Sequence, residues 1–156
     1  MLFSTLTAVT GLVGPLPRLP RVLYVDDYPD LADSAVWVLS LLGVEARAAY
    51  DGDSAQAVAA EFLPDVCFID LFMPGMDGDE LAGKLLAQAG ARPILLVAVT
   101  AMGDAINRGR LVAAGFHLHF IKPVDPLALL GVLTDQQTRG DTLPPPLSAT
   151  DSIGPM

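Results

Sequence analysis

The chain has 156 residues, 52% of them hydrophobic and 17% charged, with a formal net charge of -9. That length suits one domain that buries a real core without staples, and the excess of acid argues against a nucleic-acid backbone as partner. The lone Cys67 rules out a disulfide within the chain and fits a reducing cytoplasm.

Residues 1–18 read as a flexible apolar, Pro-rich extension. Met1 to Val13 has no Lys or Arg at its start, as a secretory signal would. Gly14-Pro15 breaks the run well short of a membrane span. The spacing then predicts a first strand over Val22–Val25, which runs into Asp26-Asp27. Pro29-Asp30 opens a helix to about Leu42, with Asp30 as N-cap. Leu31, Ala35, Val38 and Leu42 supply its apolar face, and Gly43 closes it. Strand two, Val44 to Ala48, is short and partly polar, as befits an edge. Asp51-Gly52-Asp53-Ser54 is a turn and cap before helix two, which ends near Phe62.

Val66-Cys67-Phe68-Ile69 is an unbroken apolar run that ends in Asp70. Such runs are strands buried on both faces. Pro74-Gly75 and Asp77-Gly78 punctuate the loop that follows. Helix three is expected over 79–89, closed by Gly90. Strand four, Ile94 to Val99, meets Thr100. Asp104 opens helix four, which ends at Gly115. Strand five, His117 to Ile121, meets Lys122-Pro123. Asp125 caps helix five, with Pro126 at its first position, and the helix runs toward Arg139. Residues 140–156 are rich in Pro, Ser and Thr, lack periodicity, and read as a linker or disordered tail.

Five strands alternating with five helices predict an α/β fold with a doubly wound parallel sheet. The flavodoxin-like order 2-1-3-4-5 sets strands one, three, four and five side by side. Those are the strands that end in Asp26-Asp27, Asp70, Thr100 and Lys122. Taken alone, Asp70 is as readily a strand-capping Asp as a functional one. Gathered at one sheet edge, three carboxylates need positive compensation. Lys122 supplies one charge. A hard divalent cation, Mg²⁺ in cells, best fills the deficit, and there is no His/Cys set for zinc. No Walker loop or G-x-G-x-x-G indicates a nucleotide site.

The constellation of Asp26-Asp27, the Asp70 loop with Met73-Pro74 and Asp77-Gly78, Thr100-Ala101 and Lys122-Pro123 resembles the receiver domain of two-component response regulators. The resemblance covers about residues 19–139. It implies that Asp70 accepts a phosphoryl group from a phosphohistidine on a sensor histidine kinase or a histidine phosphotransfer protein. Asp27 and Asp70 would bind Mg²⁺ directly, Asp26 through water, and the Phe72 carbonyl would add a ligand. Lys122 and the Thr100 hydroxyl would hold phosphoryl oxygens, and the Lys122–Pro123 bond would be cis. Such a domain catalyses only its own phosphorylation and dephosphorylation.

The resemblance also implies a switch. Thr100 would shift toward the phosphoryl group, and a ring three residues before the lysine would follow it. That position is usually Tyr or Phe; here it is His119, a departure read as a polar switch residue. The signal would leave through helix four, strand five and helix five toward a downstream protein. Tyr28, Leu31, Ser34, Trp37 and Leu41, on and beside helix one, are candidates for a partner surface. Phe72 and Met102 are apolar where a hydrolytic water would pass, so the phosphorylated form is expected to be long-lived. The combined reading is a stand-alone cytoplasmic receiver, monomeric or weakly dimeric, with neither nucleic acid nor membrane as partner. Two alternatives are a receiver fold serving as an unphosphorylated scaffold and an aspartyl-phosphate phosphatase, which would want Asp where Phe72 stands.

Overall fold

Unbroken apolar runs build the middle of the sheet. β1 (Val22–Val25), β3 (Val66–Asp70) and β4 (Leu95–Thr100) are buried along their whole length, because helices cover both faces of a parallel sheet. β2 (Ala46–Ala49) and β5 (Leu118–Ile121) form its edges. All neighbours pair in parallel, in the order β2-β1-β3-β4-β5. The computed structural model describes residues 18–101 and 105–149. Residues 1–17, Met102 and Asp104 therefore lie outside the described residues.

The helices are α1 (Pro29–Leu41), α2 (Gly52–Phe62), α3 (Gly78–Ala89), α4 (Ala105–Ala114) and α5 (Pro126–Arg139). Alternation along each strand sends side chains to two apolar layers. Leu23, Val25, Ile69, Leu96 and Ala98 pack with Ala55, Leu81 and Leu111 of α2, α3 and α4. Tyr24, Phe68, Val97 and Val99 pack with Leu39 of α1 and Leu129 of α5. Two expected caps are in place: Asp51 accepts from the Ser54 N–H at 2.7 Å, and Asp125 from the Leu127 N–H at 2.9 Å. Pro126 starts α5 as expected.

Three expectations need correction. The first is the start and phase of α1. Tyr28, with no side-chain cap bond, is the N-cap; Asp30 is two residues too far in and places its charge in the first turn instead. The core face is Ala32 and Leu39, flanked by Ala35 and Val36. Leu31 is 48% exposed and Leu42 is exposed as well. Leu and Ala recur on two overlapping stripes of this helix, so spacing alone fits either one. The second correction is β2, which starts at Ala46 and not Val44. The Val44 N–H is already given to the Leu39 carbonyl at 3.0 Å, closing α1, and the Val44 side chain is buried in the α1/α5 layer.

The third is the tail. Residues 141–149 are not a loose linker. Gly140, at φ +65°, ends α5, and the chain then crosses past the start of β5. Leu143 packs on the α1/α5 layer and Leu147 on the opposite one. The Leu147 N–H donates to the Phe116 carbonyl at 2.8 Å, and Arg108 Nη2 of α4 to the Ser148 carbonyl at 3.0 Å. Gln136 Nε2 holds the Gly140 and Thr142 carbonyls. This strap replaces periodic burial with two isolated leucines, a pattern that composition does not reveal.

Candidate phosphoacceptor site

The site lies at the carboxyl edge of the sheet, where open α/β sheets bind ligands. β1 delivers Asp26 and Asp27, β3 Asp70, β4 Thr100 and β5 Lys122. Asp26 is 1% exposed and Asp70 6%, Thr100 is fully buried, and Asp27 is half-buried. One carboxylate oxygen from each Asp lies within 4.8 Å of the other two. Lys122 Nζ donates to Asp26 Oδ2 at 2.6 Å and to Asp70 Oδ2 at 3.3 Å. The other oxygens are held by backbone: Asp26 Oδ1 accepts from the Tyr28 N–H at 2.9 Å and Asp70 Oδ1 from the Phe72 N–H at 3.2 Å. The Lys122–Pro123 bond is cis, as expected.

Burial pushes the Asp70 carboxyl up to about 6; Lys122 opposes this and Asp26 adds to it. Burial also works against the Lys122 ammonium, but the Asp26 hydrogen bond and the charges of Asp70 and Asp26 outweigh it and hold Lys122 above its ordinary value. One ammonium thus faces three carboxylates. A close set of hard oxygen donors with surplus negative charge suits Mg²⁺.

His119 lies opposite Ala98 in the β4–β5 ladder, two residues before the Thr100–Ile121 pair, so its ring belongs to the same sheet face as Thr100. It is 6% exposed, and neither ring nitrogen has a hydrogen-bond partner among the described residues. Burial lowers its pKa and favours the neutral ring. Tyr28, Leu31, Ser34, Trp37 and Leu41 are all exposed on α1 or at its start.

The family described as the response regulator receiver domain matches residues 22–134. The chain belongs to that family. A receiver domain protein (CheY-like) of Methanospirillum hungatei superposes with a TM-score of 0.70 at 26% identity, over 78% of this chain and 95% of that one. The chemotaxis protein CheY4 of Vibrio cholerae gives 0.70 at 27% identity, over 75% and 98%. The transcriptional regulator RpaA of Synechocystis is 28% identical over 126 residues, 81% of this chain and 52% of RpaA. The response regulator PleD of Caulobacter vibrioides is 34% identical over 109 residues, 70% of this chain and 24% of PleD. The chain thus spans about half of the first of these regulators and a quarter of the second. Among the described residues, no helix is long and apolar enough to cross a membrane.

Three residues shape this receiver site, and two of them, Tyr24 and Arg110, do not stand out in the sequence. Tyr24 stacks on Phe68 with ring centroids 5.7 Å apart, behind the acid cluster. Burial, then Asp26 and Asp70, hold its phenol far above its usual pKa. Its one visible signal was an aromatic within an aliphatic strand, two residues before Asp26. Arg110 of α4 reaches the Asp70 loop, with partners 31 and 33 residues away in sequence. Gly78 donates its N–H to the Leu71 carbonyl at 2.9 Å, and a Cβ there would run into the Asp70 carbonyl oxygen and Leu71 Cα. In the sequence Asp77-Gly78 is both turn punctuation and part of the receiver resemblance; the close backbone approach at Gly78 is what the structure adds. Gly78→Ala is expected to cost about 1–3 kcal/mol or more, because backbone rather than a flexible side chain must yield. A urea titration checks it, and an unchanged midpoint would show that the loop gives way freely.

Proposed function

We propose that this receiver domain accepts a phosphoryl group on Asp70 from a phosphohistidine of a sensor kinase or phosphotransfer protein, and signals by phosphorylation-dependent protein binding. The observation that carries this is the buried Asp70 carboxylate, bonded to Lys122 and within ligand distance of Asp26 and Asp27.

With a pKa of about 6, Asp70 is mostly ionised at neutral pH, and so can act as nucleophile. A carboxylate oxygen forms a bond to phosphorus as the P–N bond of the phosphohistidine breaks. The electron pair returns to the imidazole. Phosphoryl transfer of this kind needs positioning and charge neutralisation above all. The Phe72 N–H orients the carboxylate, Lys122 pairs one phosphoryl oxygen, and the Thr100 hydroxyl binds another. Asp27, Asp70 and the Phe72 carbonyl would hold Mg²⁺, Asp26 through water, and the ion would supply the remaining neutralisation.

Tyr28 and Leu31 at the start of α1, near Asp26, and Trp37 and Leu41 farther along the helix are exposed apolar residues suited to a phosphodonor protein. The downstream partner takes the face of α4, β5 and α5, where His119 follows Thr100. A cytoplasmic setting fits the reduced Cys67 and a kinase-supplied phosphoryl group.

Incubation with acetyl phosphate and Mg²⁺ tests the assignment. Wild-type protein is expected to take label, and Asp70→Asn none while melting cooperatively. Equal labelling of Asp70→Asn would remove Asp70 as acceptor.

A further inference from the structure

Arg110 sits on α4, yet its guanidinium reaches both the loop that follows Asp70 and the first turn of α3. Nε donates to Asp79 Oδ2 at 3.0 Å, and Nη2 to Asp79 Oδ1 at 2.9 Å and Asp77 Oδ2 at 3.3 Å. The bidentate fork fixes the orientation of the guanidinium plane. Its central carbon lies 5.1 Å from the centroid of the Phe72 ring. One side chain therefore fastens the loop at both ends. Phe72 begins it, immediately after Leu71, and Asp77 caps α3 at its close.

An α3–α4 ion pair would be enough to explain the Asp79 contacts as packing. It does not explain the Phe72 contact. That ring is 38% exposed and contributes little to the core, but its own N–H is bonded to Asp70 Oδ1. What Arg110 steadies is an apolar ring one residue beyond the phosphoacceptor's neighbour. Such a ring can occupy the approach to Asp70 but cannot orient a water by hydrogen bonding.

We propose that Arg110 is a positioning residue that sets the lifetime of the phosphorylated form by holding the Phe72 ring as a shield beside Asp70. This rests on the reading of Asp70 as phosphoacceptor. In hydrolysis, a water oxygen bonds to phosphorus as the bond from phosphorus to the Asp70 oxygen breaks. Asp70 leaves as a carboxylate, and the water's hydrogens depart with inorganic phosphate. The step needs a water in line with the breaking bond. A ring held in that path excludes it; a ring free to swing admits it part of the time.

The test labels wild type, Arg110→Ala, Asp79→Asn, Phe72→Ala and the Arg110→Ala/Phe72→Ala pair with acetyl phosphate, removes the donor, and follows loss of label. Arg110→Ala is expected to lose phosphate about two- to fivefold faster, the scale set by an exposed cation–π contact. Asp79→Asn, which loosens the fork from the other side, should shift decay the same way, and serves if Arg110→Ala folds poorly. The pair should decay no faster than Phe72→Ala alone, because Arg110 acts through that ring. A purely structural role would move the melting temperature without this non-additivity. Wild-type decay rates in both Arg110→Ala and Asp79→Asn, or full additivity in the pair, would overturn the proposal while leaving Asp70 as acceptor. No label on wild type would overturn the phosphoacceptor reading itself, and this proposal with it.

Discussion

Asp70→Asn is expected to stabilise the cation-free protein by about 1–3 kcal/mol at pH 7.5, and by less at pH 5. The sign follows from the direction of the Asp70 shift. Its carboxyl titrates at about 6 in the folded chain against an ordinary value of 3.8, so the native state binds this proton more tightly than the unfolded one does. Below about pH 4 both states keep it and the group contributes no difference. Between pH 4 and 6 the unfolded chain releases it first, and native stability falls as pH rises. Above about 6.5 the full penalty is present. The gap between the two values sets an upper limit of about 3 kcal/mol. Asn keeps the shape, removes the charge, and leaves Lys122 its stronger contact with Asp26 at 2.6 Å, so most of the penalty should be recovered. Melts at pH 5 and 7.5 keep clear of the sequence pI of about 4.3. Excess Mg²⁺ should stabilise wild type far more than Asp70→Asn, since binding to the native state alone adds stability by mass action. A gain of equal size at both pH values would mean that Asp70 charge is not its source.

The penalty exists because a buried carboxylate cluster was placed at the strand ends, and that placement is what the sequence makes most legible. β1, β3 and β4 are apolar runs that end in a polar group, so the strand and the site are read from the same few residues. Parallel order then brings Asp26, Asp70, Thr100 and Lys122 together without any side-chain detail. Helices carry less information. α1 holds apolar residues on two overlapping stripes, and only packing against the sheet and α5 selects Ala32 and Leu39 over Leu31 and Leu42. Arg110 was illegible for a different reason: its meaning lies in Asp77, Asp79 and Phe72, which no local window contains. His119 could be located from its distance to Lys122, but its burial without a hydrogen-bond partner among the described residues is a property of the packed β4–β5 edge.

Ending the chain at Gly140 is expected to lower stability by about 2–3 kcal/mol, or roughly 5–10 °C in melting temperature for a domain of this size. The strap over residues 141–149 joins the two apolar layers at the end of the sheet opposite the acid cluster. Its loss uncovers the surfaces beneath Leu143 and Leu147, each half-buried against its layer. Two such side chains account for about 2 kcal/mol by area. The Phe116 carbonyl loses the Leu147 N–H and Gln136 Nε2 loses the Thr142 carbonyl. Each broken bond near the core adds about 1 kcal/mol. Entropy regained by a strap that no longer needs ordering works the other way, so the net loss falls below the sum of these contacts. Arg108 is released as well, and it lies on α4, so the loosening should be greatest there. Hydrogen exchange is expected to rise in α4 and β5 while β1 and β3 stay protected. Leu143→Ser with Leu147→Ser in the full chain should reproduce most of the loss without altering chain length. A truncated chain that melts with wild type would show that the strap rests on the fold without supporting it.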